Sequence, residues 1–198
     1  MAAAAMLNQT LMTPDEYLTW EAQQTELKHE YVDGEIYAMV GARRLHVVAT
    51  GNIFAALKSQ LRGSKCRAYA NDLKLRLLNR NAFYYPDIVV TCSAADNGAE
   101  LYITEPTLIV EVLSESTEAY DRNGKFAAYR TIETLQEYWL VDIDEQQIEI
   151  FRRAEQGDWL YHCYRRESDA ALPVYTLELT LPMSELFEDI NPILADDG

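Results

Sequence analysis

The chain is short of cysteine, of long apolar runs and of positive charge, and each shortage narrows what it can be. Cys66, Cys92 and Cys163 are an odd number with no CxxC pair. That argues against a disulfide framework or a zinc knuckle and fits a reducing compartment. No stretch approaches the ~18 consecutive apolar residues of a membrane-crossing helix. The opening Met-Ala-Ala-Ala-Ala-Met-Leu has no basic residue ahead of a short apolar span, unlike a secretory leader. A cytoplasmic protein with no membrane partner is the expectation. Lys and Arg number 17 against 32 Asp and Glu, a net charge of −15, which by itself speaks against a nucleic-acid partner. The distribution speaks otherwise. Nine of the 17 basic residues fall between Arg43 and Arg80, a segment whose one acid is Asp72. Either they solvate one helix and one hairpin, or Arg43, Arg44, Lys58, Arg62 and Lys65 form a basic face that tracks a DNA phosphate backbone.

What is present suits one well-cored domain: 198 residues, 48 % hydrophobic and 25 % charged. Thirteen Tyr and three Trp favour sheet. Residues 1–12 show no pattern and are expected to fray, 13–190 form the domain, and 191–198 are an acidic tail. Thr13-Pro14-Asp15-Glu16 is a capping box with Pro at the first helical position. Asp33-Gly34 marks a tight hairpin between two short strands. Apolar residues from Leu45 to Leu61 recur at helical spacing. Strands are expected at Cys66–Ala70, Leu73–Leu78, from Asp87 to Val90, and at Leu108–Leu113. A helix over residues 117–132 follows, then three antiparallel strands, Glu137–Ile143, Gln147–Arg153 and Trp159–Arg165. A short strand at Leu177–Leu181 and a helical turn near Pro182–Phe187 end the pattern. The class is α+β, a mixed sheet with helices packed on it.

The stretch Leu108-Ile109-Val110-Glu111-Val112-Leu113 is the centre of the reading. Apolar on both faces, it belongs in the middle of a sheet. An ionised carboxylate there costs several kcal/mol, roughly, unless a cation or strong donors stand beside it. Asp87 begins a similar apolar run and Lys125 lies on the expected helix after Glu111. Two carboxylates on neighbouring strands repel unless a divalent cation joins them, and Mg²⁺ or Mn²⁺ suits one or two carboxylates plus waters. Such a metal polarises a phosphoryl oxygen and activates water, while an ammonium neutralises charge in the transition state.

Tyr85-Pro86-Asp87-Ile88-Val89-Val90 followed by Leu108-Ile109-Val110-Glu111-Val112-Leu113-Ser114 resembles the PD-(D/E)xK nuclease superfamily, and within it the Uma-two family of restriction-endonuclease-like proteins. Glu30-Tyr31-Val32-Asp33-Gly34-Glu35, His46, Asp121 with Lys125 and Tyr129, and Glu137-Tyr138-Trp139-Leu140-Val141-Asp142 extend the resemblance to roughly Thr13–Phe187. It implies a restriction-endonuclease-like mixed sheet with added antiparallel strands, and a metal-dependent endonuclease acting on DNA. Asp87 and Glu111 would be the metal carboxylates, Glu30 an extra acid from the first hairpin and Lys125 the catalytic lysine. One position departs from the usual form. The lysine two residues after the acid is replaced by Leu113, so the catalytic role falls to Lys125. That departure and the −15 charge keep open a non-catalytic nucleic-acid-binding or regulatory module. A homodimer pairing through Glu137–Arg165 is compatible with either, and nothing singles out a carboxylate-pair glycosidase. Asp121 is expected to start a helix, His46 and Tyr129 to be ordinary packed residues, and Tyr138-Trp139 to be core or dimer contact.

Overall fold

Thr13 stops the incoming chain and starts the first helix. Its hydroxyl accepts from the Glu16 N–H while the Glu16 carboxylate accepts from the Thr13 N–H, so two orphan donors at the end of α1 (Pro14–Glu21) are satisfied reciprocally. The computed structural model describes residues 11–39 and 41–190. The expected frayed start and acidic tail lie outside it apart from Leu11 and Met12, and the Met12 N–H bonds the Gly34 carbonyl. Strands β1 (His29–Val32) and β2 (Glu35–Ala38) form a hairpin closed by Asp33 and Gly34. Both turn residues take positive φ, 50° and 96°, which a two-residue hairpin demands and Asp-Gly tolerates.

Helix α2 (Arg44–Gln60) runs where the apolar spacing placed it. It buries Ala49, Thr50, Ile53 and Leu57. Four short strands follow: β3 (Arg67–Ala70), β4 (Lys74–Leu77), β5 (Ala82–Tyr84) and β6 (Ile88–Thr91). Beyond them lie a helical turn α3 (Ala94–Asn97) and the two-residue β7 (Tyr102–Ile103). Strand β8 (Pro106–Val112) then enters the middle of the molecule. The expected helix after it is broken into α4 (Glu118–Tyr120), a π-helical turn over Asp121–Lys125, and α5 (Phe126–Tyr129). Strands β9 (Glu137–Asp142), β10 (Gln147–Arg153) and β11 (Trp159–Arg165) form the antiparallel series read from the sequence. The ribbon β12 (Ala171–Val174) and β13 (Leu179–Pro182) and helix α6 (Met183–Leu186) complete the described chain. Strand β12 is absent from the sequence reading because Pro173 argues against a strand; it is tolerated in a two-stranded ribbon, which is all edge.

The strands build two main sheets rather than one. One has the order β2-β1-β5-β4-β7 and the other β11-β10-β9-β8-β6-β3. Alternation along β8 sends Leu108, Val110 and Val112 to a core shared with Ile53 and Leu57 of α2 and with Leu186 of α6. Ile109 points to the opposite core, between the sheets, with Leu75, Tyr84, Val89, Tyr129 and Leu140. Leu108 through Val110 are fully buried, and each such side chain stabilises the fold by about 1.5–3 kcal/mol. A third, aromatic cluster of Tyr17, Tyr31 and Phe83 fastens α1 to the outer face of the five-stranded sheet.

The cysteines require a correction. Arg67 faces Thr91 in the β3–β6 register, so Cys66 and Cys92 occupy the next facing positions and are joined in a disulfide. One cross-strand bond is not a framework, and Cys163 remains free. The pairing depends on strand register, which the 26-residue separation does not reveal.

Candidate functional site

The last residues of β8 and the start of β6 meet at one end of the six-stranded sheet. In their antiparallel register Ile88 faces Val110, which sets Asp87 opposite Glu111. Asp87 is held from two sides. Its Oδ2 accepts from the Val112 N–H at 2.7 Å and its Oδ1 lies 2.9 Å from Nε2 of His46, near the start of α2. Glu111 shares the face of Ile109 and so points between the sheets. Its Oε1 accepts from Lys125 Nζ at 3.1 Å and from the Tyr129 hydroxyl at 2.8 Å. Among the described residues no protein donor reaches its Oε2.

Lys125 is the hub of this cluster. Besides Glu111 it stands 3.2 Å from Asp121 Oδ1 and 3.5 Å from Glu30 Oε1. Glu30 comes from β1 in the other sheet and also accepts from the Tyr85 N–H. The π-helical turn brings Asp121 and Lys125 inward together, and the Tyr138 hydroxyl fastens it by donating to the Asp121 carbonyl. Gly124, within this turn, leaves room for the Tyr120 ring. A Cβ there would stand 2.3 Å from the Tyr120 ring, whose hydroxyl meets that of Tyr84 at 3.1 Å.

Three carboxylates, Glu30, Glu111 and Asp121, thus share one ammonium, with Asp87 beside Glu111, in a region where side-chain exposures run from 2 % to 19 %. Burial pushes the Glu111 carboxyl well above its ordinary value, reinforced by Asp121, Asp87 and Glu30 and only partly offset by Lys125. Burial raises Glu30 likewise. Burial draws the Lys125 ammonium down, but Glu111, Glu30 and Asp121 outweigh it, and the group is held charged well above the usual lysine range. The cluster carries more negative charge than its own cation neutralises. Protons or a further cation must supply the difference.

Among the described residues no three His, Cys, Asp or Glu side chains converge as a ready-made metal cluster. The donor chemistry nonetheless fits a hard divalent ion. Asp87 and Glu111 are facing carboxylates, Glu111 Oε2 has no protein donor, and Asp121 Oδ1 is buried without a directed hydrogen bond. Mg²⁺ commonly takes only one or two carboxylates and fills its remaining positions with water.

The structure brings Asp87, Glu111, Lys125 and Glu30 to one place. It does not do so for all the basic residues singled out above. Arg43 and Arg44 lie at the site end of α2, where Arg43 meets Glu115 at 3.2 Å in an exposed pair of small energetic weight. Lys58, Arg62 and Lys65 lie at or beyond its other end, more than ten residues and about 20 Å away at helical rise. Sequence reasoning undervalued His46, which proves to face Asp87, and Asp121, which is buried at 2 % exposure instead of merely opening a helix. For Asp121 the four-residue spacing to Lys125 was a usable signal. For His46 no local pattern existed, because its contact is made by packing a helix across a sheet. Tyr129 is packed as expected and also bonds Glu111, while Tyr138 and Trp139 are fully buried core.

Two packed layers of sheet, helices on the outside and a carboxylate–lysine cluster at a sheet end define a nuclease-like α+β protein. The Uma2 family, described as "Putative restriction endonuclease", matches residues 14–184, and the chain belongs to it. Two proteins of Synechocystis sp. are similar. The "Uncharacterized protein slr1290" is 42 % identical over 154 residues, covering 78 % of this chain and 80 % of that one. The "Uncharacterized protein sll1609" is 35 % identical over 153 residues, 76 % and 85 % of the two chains. Among solved structures, a crystal structure titled as a putative nuclease belonging to DUF820 from Anabaena variabilis shares the fold. Its TM-score is 0.72 at 22 % identity, over 89 % of this chain and 97 % of that one. The likeness read from the sequence therefore holds for family and fold. No helix among the described residues is long and apolar enough to cross a membrane.

Proposed function

We propose that the protein is a metal-dependent endonuclease that hydrolyses DNA phosphodiester bonds at the Asp87–Glu111–Lys125 cluster. The observation that carries this reading is the buried excess of carboxylate around one lysine, at a sheet end open enough to leave Asp87 partly exposed. Structural ion pairs balance their charges; this cluster does not. Asp87 and Glu111 would hold Mg²⁺ or Mn²⁺, which when bound supplies Lewis-acid polarisation of a phosphoryl oxygen and lowers the pKa of a bound water. The His46 contact and the Val112 N–H fix the Asp87 carboxylate, so it spends little entropy on binding a ligand. Lys125 provides the fixed positive charge that offsets the developing negative charge on the phosphoryl oxygens. Glu30 and Asp121 hold that ammonium in place and keep it protonated.

Incubation of supercoiled plasmid with the purified protein and Mn²⁺ or Mg²⁺ tests the reading. Nicked and linear products are expected, suppressed by EDTA and lost at least a hundredfold in Asp87→Ala and Glu111→Ala. Cleavage that survives in both variants sinks the assignment.

A second reading is favoured by one observation. Lys125 already contacts three carboxylates, as a purely structural cation would. A non-catalytic nucleic-acid-binding module then remains, and tight DNA binding with no turnover under any divalent ion would establish it.

A further inference from the structure

No Asp or Glu occurs between Glu35 and Asp72 in a chain that carries 32 of them. That acid-free segment supplies most of a groove of about 580 Å³ between α2 and the edge strand β3; the one acid in its lining is Asp72, at the segment's end, where it pairs with Lys28. Ala68 and Ala70, facing α2, are too small to fill the space beneath the helix. Phe54, Lys58, Arg62 and Arg67 line it. The Lys58 ammonium sits 5.1 Å from the centre of the Phe54 ring. Arg67 is fixed by donating to the Ser64 and Cys66 carbonyls at 2.6 and 2.8 Å. None of Lys58, Arg62 or Arg67 forms an ion pair among the described residues, so their charge is unspent.

The groove leads to the cluster. Ala70 faces Ile88 in the β3–β6 register, and the N–H of Asn71, the next residue, donates to the Asp87 carbonyl at 3.0 Å. From His46, against Asp87, to Lys58 is twelve residues of one helix, about 18 Å. Its volume, in the range of small-ligand sites, is enough to take bases and phosphates of a single strand.

We propose that this groove binds a single strand of nucleic acid, running from the Asp87 end past Lys58 and Arg62. The basic side chains take the phosphates, and the Phe54 ring with the alanine floor takes the face of a base. The inference rests on the nuclease reading for its biological purpose, but its test does not use cleavage.

Fluorescence anisotropy of a labelled 12-nucleotide single strand, measured in EDTA across a salt series, decides the matter. Lys58→Glu combined with Arg62→Glu should weaken binding at least tenfold at low salt. It should also reduce the log–log salt slope by about 1.4, from ~0.7 per phosphate contact on single strands. Arg130→Glu combined with Arg165→Glu makes the same charge change on exposed residues elsewhere and should leave binding within about twofold of wild type. Ala68→Phe fills the groove without altering charge. It should weaken single-strand binding while preserving the salt slope, with folding verified by its thermal transition. Equal losses in the two charge-reversed proteins, an unaffected Lys58→Glu/Arg62→Glu protein, or no detectable binding by wild type would each overturn the proposal. If plasmid cleavage fails while these binding results hold, the nuclease reading falls and the groove stands.

Discussion

Glu111 and Lys125 carry the sharpest consequences for single residues. Truncating one member of a buried ion pair costs about 3–5 kcal/mol, because the partner charge is left without compensation. Lys125→Met should lose about that much stability at pH 7.5, read from urea midpoints, because three carboxylates lose their shared cation. Glu111→Gln keeps the shape and removes one anion, so it should be far milder and remove activity. The pH dependence follows from direction alone. Burial raises the Glu111 carboxyl above its ordinary 4.5, so the folded chain retains a proton that the unfolded chain releases. Stabilisation from that proton is complete below the unfolded value and is lost as pH rises through the higher folded value. Lowering the pH from 7.5 to 5.5 should therefore narrow the Lys125→Met deficit, and Glu111→Gln should flatten the wild-type dependence. A deficit that widens on acidification contradicts this account. Asp87 and Glu111 were legible in the sequence because a carboxylate in an apolar strand is conspicuous. The Tyr129 bond and the His46 contact were not, since a packed aromatic or helix histidine looks the same with or without a polar partner.

Among the elements, the π-helical turn is one that the sequence concealed. Spacing over residues 117–132 supports a plain helix, and Gly124 reads as a mild defect in it. In the structure the glycine admits the Tyr120 ring. Gly124→Ala should force that ring off Tyr84 and unsettle the turn. A loss of about 1–3 kcal/mol is expected for such overpacking, measurable as a lowered urea midpoint. Tyr120→Ala in the same chain should recover part of it by clearing the space. If Gly124→Ala is neutral, the ring does not depend on the missing Cβ. The hairpin at Asp33-Gly34, helix α2 and strands β8 to β11 were legible because local rules agree with tertiary packing there. The division of strands into two sheets was not, because it depends on which strands pair across long separations.

At the scale of the whole molecule, the charge is strongly unequal, and the carboxylate-rich cluster sits at the join of both sheets. A divalent ion that binds there only in the folded state must stabilise the fold by mass action, about 2.7 kcal/mol at a hundred times its dissociation constant. Mg²⁺ at millimolar concentration should raise the melting temperature by several degrees, at about 2–4 °C per kcal/mol for a chain of this size. The same Mg²⁺ should leave Asp87→Ala/Glu111→Ala unchanged. An equal shift in both proteins would mean that the ion acts elsewhere.

The parallel pairing of β8 with β9 has a further consequence. Parallel neighbours cannot be joined by a tight turn, so the chain must cross back, and that crossing carries Asp121 and Lys125. Cutting the backbone between Ser116 and Thr117 would divide the molecule into one piece with Glu30, Asp87 and Glu111 and another with the lysine. Neither piece could hold the site, and each would carry part of what the other lacks. Rejoining them would restore the sheet and return Lys125 to its carboxylates in one event, which makes the site a reporter of whether the two halves of the chain have met.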